Sequence, residues 1–233
     1  MKIRDPLFSY AFAHLPAERG LIEEAEEMLL EPSEEGALAA FVRVRDAANR
    51  GSAFAMCICS RLARAGVGTE QSGADAHSWA KRAAETGFAP GIYELGLCFE
   101  KAVGVERDLA AAFSHYQQSA DGGFGFAAHR LGRECCEGAF ENVDTTRAVQ
   151  YMALAYDLGE SLAAYDLGQW YEAGKKVQRD YTAAVLWYER AAALGDPAAT
   201  FRLHIAYSRG ELGLPQNRTK ANEYADMFAP PEF

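Results

Sequence analysis

The sequence predicts an all-α solenoid built from helical hairpins of 36 residues. The main evidence is a ladder of glycines spaced 36 residues apart: Gly51, Gly87, Gly123, Gly159 and Gly195. A second column of helix-ending residues has the same period: Gly66, Ala102, Gly138, Gly174 and Gly210. Two breaks in each period leave two segments of about a dozen residues, which is the length of an ordinary helix. A fixed period of this length is typical of repeat proteins, in which each unit packs against its neighbours.

The first segment of each unit carries an apolar face. One column holds Leu95, Leu131, Leu167 and Leu203, and the column four residues later holds Phe99, Cys135, Tyr171 and Tyr207. Residues at i and i+4 share a helix face, so these columns predict the core side of the first helix. Between them lie Gly96, Gly132 and Gly168, at positions where a glycine costs about 1 kcal/mol relative to alanine. A cost repeated in register predicts a close approach of the second helix, at which a Cβ atom would collide.

The second segment opens on an aspartate in three units, at Asp108, Asp144 and Asp180, and Asn217 takes this role in the last unit. Each is predicted to accept hydrogen bonds from the free amides of the first turn, which stabilises a helix by about 1 kcal/mol. A bulky column (Trp79, His115, Tyr151, Trp187) and a small column (Ala83, Ser119, Ala155, Ala191) follow. These columns predict large and small layers between stacked hairpins. The ladder glycine that closes each unit suits the left-handed conformation at a helix end.

The repeat register extends upstream of the first ladder glycine. Residues 39–51, AAFVRVRDAANRG, overlay residues 111–123, AAFSHYQQSADGG, at a distance of two periods. Ser33 is a candidate cap for that helix. An apolar stripe lies on the glutamate-rich segment before it, at Leu21, Ile22, Ala25, Met28 and Leu29. We therefore expect degenerate capping helices in residues 1–51, with a hairpin over 17–51, and a short tail at 230–233.

Composition favours a folded protein with an acidic surface. Of the 233 residues, 49% are hydrophobic and 24% are charged, and the formal net charge is -10. Such a surface repels phosphate groups, so nucleic acids and anionic membranes are disfavoured as partners. No segment is long enough to span a bilayer. The start of the chain is similar to a secretory leader, but Asp5 and Pro6 interrupt it, so a cytoplasmic location is expected.

All five cysteines fall in first segments: Cys57, Cys59, Cys98, Cys135 and Cys136. A disulfide between the two helices of a unit would need a partner in a second segment, and none is present there. Neighbours such as Cys135 and Cys136 point about 100° apart on a helix, which disfavours a shared metal ion or an ordinary disulfide. Buried, reduced thiols are the favoured interpretation, with a metal site or a redox role of Cys136 as alternatives.

Two units carry a recognisable pattern almost in full. The strings YELGLCFEKAVGVERDLAAAFSHYQQSADGG (93–123) and YDLGQWYEAGKKVQRDYTAAVLWYERAAALGD (165–196) resemble Sel1-like repeats. This tetratricopeptide-related family reads approximately A-x-Y-x-L-G-x-x-Y-x-x-G-x-G-V-x-x-D-x-x-x-A-x-x-W-Y-x-x-A-A-x-x-G. The resemblance covers five units, at 52–87, 88–123, 124–159, 160–195 and 196–229. The chain departs from the pattern at Cys59 and Ser60, at Cys135 and Phe140, and at His204. The resemblance implies a bacterial source and a right-handed α/α superhelix.

The same resemblance implies a concave groove lined by the first helices. The candidate partner-binding residues there are Arg61, Tyr93, Glu94, Leu97, Lys101, His129, Arg130, Arg133, Tyr165, Asp166, Gln169 and Arg202. One column alternates in charge, through Glu94, Arg130, Asp166 and Arg202, and its members either pair with one another along the groove or form a recognition strip. An aromatic column of Tyr93, Tyr165 and Phe201 is expected in the core. Its fourth member, His129, is expected to be packed and hydrogen-bonded.

No catalytic signature accompanies the repeats in the sequence. A phosphate-binding loop, a dinucleotide-binding glycine motif, a nucleophile elbow and a His-Glu-x-x-His helix are all missing. The expected function is therefore a non-catalytic scaffold or adaptor that binds a protein or peptide in the groove, without cofactor or metal. One alternative is hydrolysis of β-lactam-like compounds, by analogy with cysteine-rich Sel1-like proteins. Those proteins bridge the two helices of each repeat with a cysteine pair that this chain lacks. The other alternative is self-association through the acidic amino-terminal hairpin or the tail. The partner's identity and the oligomeric state stay open.

Overall fold

The computed structural model describes residues 6–21, 23, 34–138, 145–175 and 177–228, and all regular structure within them is helical. Helices α1 (Pro6–His14) and α2 (Glu34–Asn49) come first, with a 3-10 turn at Pro16–Glu18 between them. Ten helices follow in pairs, namely α3 (Ala53–Ala65) and α4 (Gly73–Glu85), α5 (Ala89–Lys101) and α6 (Leu109–Asp121), α7 (Gly125–Glu137) and α8 (Thr145–Asp157), α9 (Ser161–Ala173) and α10 (Tyr181–Ala193), and α11 (Pro197–Arg209) and α12 (Arg218–Phe228). The predicted fold class, an all-α solenoid of consecutive helical hairpins, is confirmed. No helix in these ranges is long and apolar enough to cross a membrane.

The chain divides into two compact units, Met1–Ala127 and Ala128–Phe233. In the first unit, a large apolar cluster joins α1, α2 and α3, with Phe8, Phe41 and Phe54 among its members. In the second unit, a cluster packs α9 to α12 around Tyr188 and Leu203. Each unit therefore has an apolar core of its own, made from side chains of successive hairpins.

The columns predicted for the core lie in the core. Leu131, Leu167 and Leu203 are fully buried, and Leu95 is nearly so. The column one turn later is buried or half-buried throughout. The small column of the second helices, Ala83, Ser119, Ala155 and Ala191, is also fully buried. The 36-residue period thus identified the buried face of both helices correctly.

The glycines inside the first helices face large side chains of the second helices. A Cβ atom on Gly96 would lie 2.8 Å from a ring carbon of Tyr116, and one on Gly168 would lie 2.5 Å from a ring carbon of Tyr188. At Gly132 the same atom would lie 2.6 Å from Met152. The predicted close approach is confirmed, and the nearest group in each hairpin belongs to one large side chain.

Side-chain caps begin the second helices as expected. Asp108 accepts from the Ala111 amide at 2.9 Å, Asp180 accepts from the Ala183 amide at 3.0 Å, and Asn217 accepts from the Lys220 amide at 3.0 Å. Three further caps were not predicted as such: Ser52, Ser72 and Asp196. Each cap satisfies an amide that has no partner within its own helix.

The ladder glycines all adopt positive φ angles, from +79° at Gly87 to +103° at Gly51, which confirms their assignment to helix ends. The second column does the same, and there Ala102 has a φ of +56°. This conformation strains any residue with a Cβ atom. Ala102 therefore stands where the other four repeats place a glycine.

Several sequence expectations fall outside the described residues. They are Asp144, Phe140, Ser33, the stripe members Ile22, Ala25, Met28 and Leu29, and the tail 230–233. Leu21, the first residue of that stripe, packs against the apolar cluster of the first unit.

Replacing Ala102 with glycine is expected to stabilise the protein by roughly 0.5–1 kcal/mol, because relief of the left-handed strain outweighs the stability lost when the unfolded chain gains freedom. Urea unfolding followed by circular dichroism measures the change. The matched control is Gly138→Ala, at a φ of +76° with open space around its Cβ position, which should lower stability by a similar amount. Equal midpoints for all three proteins would show that these helix ends tolerate a Cβ atom.

The Gly168→Ala variant is expected to lose about 1–3 kcal/mol, because its methyl group overlaps the Tyr188 ring. That ring is held in place by a hydrogen bond from its hydroxyl group to Glu172 at 2.6 Å. The register-matched Gly132→Ala variant should lose less, because the Met152 side chain is flexible and can move aside. Thermal unfolding of both variants checks the order, and an equal loss would contradict it.

Candidate functional site

Ion pairs between successive repeats cross the face of the first helices in the first unit. Arg61 on α3 donates from Nε to Oε1 of Glu94 on α5 at 2.5 Å. The guanidinium of Arg64 lies 3.6 Å from the other oxygen of the same carboxylate. Glu94 is 0% exposed, so its charge is shielded from water and compensated by two arginines of the preceding repeat. Burial of a carboxylate is tolerated only with partners of this kind.

A histidine makes the equivalent link in the second unit. Nε2 of His129 on α7 lies 2.9 Å from Oδ2 of Asp166 on α9, and the histidine is 6% exposed. The carboxyl groups of Glu160 and Asp196 interact with this pair, and burial raises the pKa of both. At Glu160 the nearby His129 opposes this rise but does not cancel it. The expectation of a packed, hydrogen-bonded histidine is confirmed.

Arg202 on α11 joins two carboxylates in the second unit. Its Nη2 donates to Glu172 on α9 at 2.7 Å, and its Nη1 donates to Glu211 at 2.8 Å. Tyr188 donates its hydroxyl hydrogen to the same Glu172 at 2.6 Å. Burial alone would raise the pKa of Glu172, but the hydrogen bonds from Arg202 and Tyr188 outweigh it, and the pKa is lowered.

The charged column pairs differently from the expected ladder. Asp166 and Arg202 do not pair with each other, because Asp166 binds His129 and Arg202 binds Glu172 and Glu211. Arg130 lies 3.0 Å from Glu134, one turn along its own helix. The links between repeats join residues that are 33, 37 or 30 positions apart, instead of the 36 that separate members of one column. Long side chains reach diagonally, so a shared column does not imply a shared contact.

The other candidates on this face carry exposed or half-buried side chains. Lys101 pairs with Glu100 at 2.6 Å, and Arg133 lies 3.7 Å from Glu137. Gln169 donates to the hydroxyl of Tyr165 at 3.0 Å, and Leu97 is half-buried. Lys101, Arg133 and Gln169 are exposed, so these three are accessible to a partner.

The aromatic column is only partly in the core. Tyr93 is buried against Tyr116, Phe124 and Phe126, with ring centroids 5.2 to 5.5 Å apart. Tyr165 is half-buried. The core expectation is wrong for Phe201, which is 56% exposed. Phe124 and Phe126 of the following repeat cover Tyr93, whereas the ring of Phe201 in the fifth matched repeat stacks on His204, with ring centroids 6.4 Å apart.

Comparison with known families explains the 36-residue period of the sequence. Five consecutive segments match the Sel1 repeat, at 53–88, 89–124, 125–160, 161–196 and 197–229. The chain belongs to the Sel1 repeat family. Proteins with Sel1 repeats are generally protein-interaction scaffolds.

Solved structures with the same fold come from several bacteria. A Sel1 repeat protein from Oxalobacter formigenes is 27% identical, with a TM-score of 0.69, over 82% of this chain and 78% of that one. The protective antigen c5321 of uropathogenic Escherichia coli strains is 31% identical with a TM-score of 0.66, and the match covers 81% of this chain but only 40% of that protein. The immunity protein PA5088 from Pseudomonas aeruginosa shares the fold at 17% identity and a TM-score of 0.60, over 98% and 82% of the two chains. Comparison with curated proteins finds no match.

Sel1 repeats four and five frame a cleft of about 820 Å³. Its lining includes three of the candidate residues, Tyr165, Gln169 and Arg202. It also includes side chains that the sequence analysis did not select, among them Trp170, Glu172, Tyr181 and Glu211. A signal for part of this set was present in the sequence. The Tyr116 hydroxyl donates a hydrogen bond to Glu100 at 2.6 Å, and the Tyr188 hydroxyl donates one to Glu172 at the same distance. The two pairs lie two periods apart in the sequence.

The cysteines of these Sel1 repeats are all free thiols. Burial raises the pKa of Cys59 to about 12 and the pKa values of Cys98 and Cys135 to about 11. These thiols are therefore protonated near neutral pH and are poor nucleophiles. The buried-thiol interpretation is confirmed for four of the cysteines, whereas Cys136 is half-buried. In the part of the chain that the structure describes, no group of three His, Cys, Asp or Glu side chains is arranged to hold a metal ion.

Stability is expected to depend on pH through Glu172. Its lowered pKa means that the folded state gains stability above the ordinary value of 4.5 and loses it as the pH falls through the lower folded value. The Glu172→Gln variant should therefore be less stable than the parent at pH 7, by roughly 1–2 kcal/mol. The difference should shrink below pH 4.5 as the parent's carboxylate is protonated.

Urea unfolding at pH 7, 5, 4 and 3 measures both effects. The Glu211→Gln variant is the matched control, since Glu211 binds the same arginine without the contact to Tyr188. A difference that stays constant across this pH range would contradict the assignment.

Proposed function

We propose that this Sel1 repeat protein is a non-catalytic scaffold that binds a protein or peptide along the faces of its first helices. The observation that carries the proposal is the cleft between repeats four and five. It lies on the first helices α9 and α11, together with the start of the second helix α10. A concave site with aromatic walls and a few fixed polar groups is the usual form of a recognition pocket.

The side chains of the cleft are held in place before any partner arrives. Glu172 and Glu211 accept hydrogen bonds from the guanidinium of Arg202 and fix its position. Tyr188 in turn donates a hydrogen bond to Glu172. Tyr181 at the rim is exposed, and Trp170 is half-buried. Rigid aromatic side chains lose little conformational entropy on binding, and preorganised polar groups spend little energy on rearrangement. Both properties support a peptide or protein surface as the ligand.

The charge of the chain narrows the class of partner. A formal net charge of -10 works against the phosphate groups of nucleic acids and anionic membranes. The β-lactam alternative drew on relatives with a bridging cysteine pair in each repeat, and the five cysteines here are free and mostly buried. A protein or peptide is the partner class that this combination favours.

The test is quantitative affinity capture with the full chain as bait and a lysate of the native host, read by mass spectrometry. The site variant is Arg133→Glu/Gln169→Glu, at two exposed positions on the first helices α7 and α9. The control variant is Arg147→Glu/Gln150→Glu, which makes the same charge change on the second helix α8. We expect a partner whose recovery falls about tenfold or more with the site variant and is unchanged with the control.

Recovery that falls equally with both variants, or with neither, would place the binding surface elsewhere. Circular dichroism melts of both variants establish that the folded state is intact, since the substituted side chains are exposed.

A further inference from the structure

The first helix of the chain lies outside the repeat register but crosses the beginnings of three repeats. Phe8 of α1 packs edge-on against Phe54 near the start of α3, with ring centroids 5.5 Å apart. Tyr10 packs edge-on against Phe88, before α5, at 5.8 Å, and against Phe124, before α7, at 5.5 Å. The Tyr10 hydroxyl also donates to the carbonyl of Gly122 at 3.2 Å.

The contact buries one face of α1 completely. Leu7, Phe8 and Ala11 are at most 2% exposed, and they occupy positions i, i+1 and i+4 of the helix. His14 stacks on Tyr10 at 4.0 Å and holds the ring in position. Burial raises the pKa of the Tyr10 hydroxyl. The helix is therefore seated by aliphatic and aromatic side chains, and the Tyr10 hydroxyl adds a hydrogen bond at its edge.

The residue that precedes each first helix is aromatic in the two repeats where Tyr10 packs. The residue before each first helix forms a column, Ser52, Phe88, Phe124, Glu160 and Asp196, with a spacing of 36. Ser52 and Asp196 cap their helices with side-chain hydrogen bonds. Phe88 and Glu160 make no such bond at the starts of α5 and α9. At the two positions where Tyr10 packs, this column presents aromatic rings instead of a capping side chain.

Phe54, Phe88 and Phe124, together with Tyr93 packed on Phe124 at 5.5 Å, form a surface that we call the aromatic shelf. It belongs entirely to the unit Met1–Ala127. Three consecutive repeats contribute to it, so it has the extended form that a helical ligand needs. Binding of an amphipathic helix by its apolar face is a recurrent mode of peptide recognition.

The occupant of the shelf is suited to reversible docking. Helix α1 has nine residues, fewer than an isolated helix needs to persist in water, so its helical state depends on the shelf. Glu18 beyond the helix accepts a hydrogen bond from Ser52 at the start of α3. This bond tethers the segment next to its site, so α1 competes with other ligands at a high effective concentration.

We propose that the aromatic shelf is a docking site for an amphipathic helix of a partner protein and that α1 is its resident occupant. The partner helix carries an aliphatic residue, an aromatic residue beside it and a second aromatic two positions later, as Leu7, Phe8 and Tyr10 do. Displacement of α1 opens the shelf to the partner. The shelf is a different surface from the cleft of repeats four and five, so this proposal does not depend on the function proposed above.

The test uses the full chain and a fluorescein-labelled peptide with the sequence of residues 5–16. In the variant Phe8→Ala/Tyr10→Ala the resident helix is weakened, so a larger fraction of the molecules has an open shelf. Fluorescence anisotropy should show binding about tenfold tighter than to the unaltered protein, because apparent affinity scales with that fraction. Adding Phe88→Glu to this variant should abolish binding. Adding Leu186→Glu, at an exposed site on α10 outside the cleft, should leave it unchanged. Equal binding by the weakened and unaltered proteins would overturn the proposal.

Hydrogen exchange on the unaltered protein tests the same idea without a weakened fold. The amides of α1 should exchange well ahead of those of α3, and faster again in excess peptide. Exchange of α1 only in step with α3 would mean that the helix is a permanent part of the core, which overturns the proposal. Light scattering at two concentrations identifies the occupant. A monomer supports an external partner, whereas a dimer that the peptide dissociates would make the occupant α1 of a second copy and overturn the partner assignment.

Discussion

The packing of one large side chain over one glycine holds each of the central hairpins together. Tyr116, Met152 and Tyr188 lie against Gly96, Gly132 and Gly168, at distances that leave no room for a Cβ atom. The close approach has consequences at the surface. Tyr188 reaches past Gly168 to Glu172, and Glu172 in turn holds Arg202 of the next repeat. The internal contact of a hairpin therefore also positions the side chains that line the cleft.

Charged side chains in these repeats link successive hairpins. Glu94 is completely buried between Arg61 and Arg64, and His129 is buried against Asp166. Pairs of this kind are stable only in a defined geometry, since an unpaired buried charge is costly. They fix how one hairpin sits on the next, and the side chains that we propose for binding are ones that these pairs do not use. Arg133 and Gln169 are of that second kind.

The two surfaces that we propose for recognition differ in chemistry. The cleft of repeats four and five combines tyrosine and tryptophan rings with fixed charges, which suits a polar peptide. The aromatic shelf is apolar and already carries α1. A solenoid can hold two such sites because each repeat contacts only its neighbours, so one part can change its surface without changing the rest.

The period of the sequence by itself determined the helical hairpins, their buried faces, the caps at Asp108 and Asp180 and the left-handed ends at the ladder glycines. These features depend on residues close together in the chain or on contacts repeated in every unit, so a column of similar residues is enough to reveal them. The tertiary structure alone decided which charges pair. Side chains such as Arg202 reach diagonally to residues of other columns, so the 36-residue spacing does not identify their partners. It also decided the exposure of Phe201, which depends on the side chains packed around it and not on its column, and the site of α1. The sequence of α1 does not indicate that it packs on Phe88 and Phe124, because these rings come together only when successive repeats have stacked.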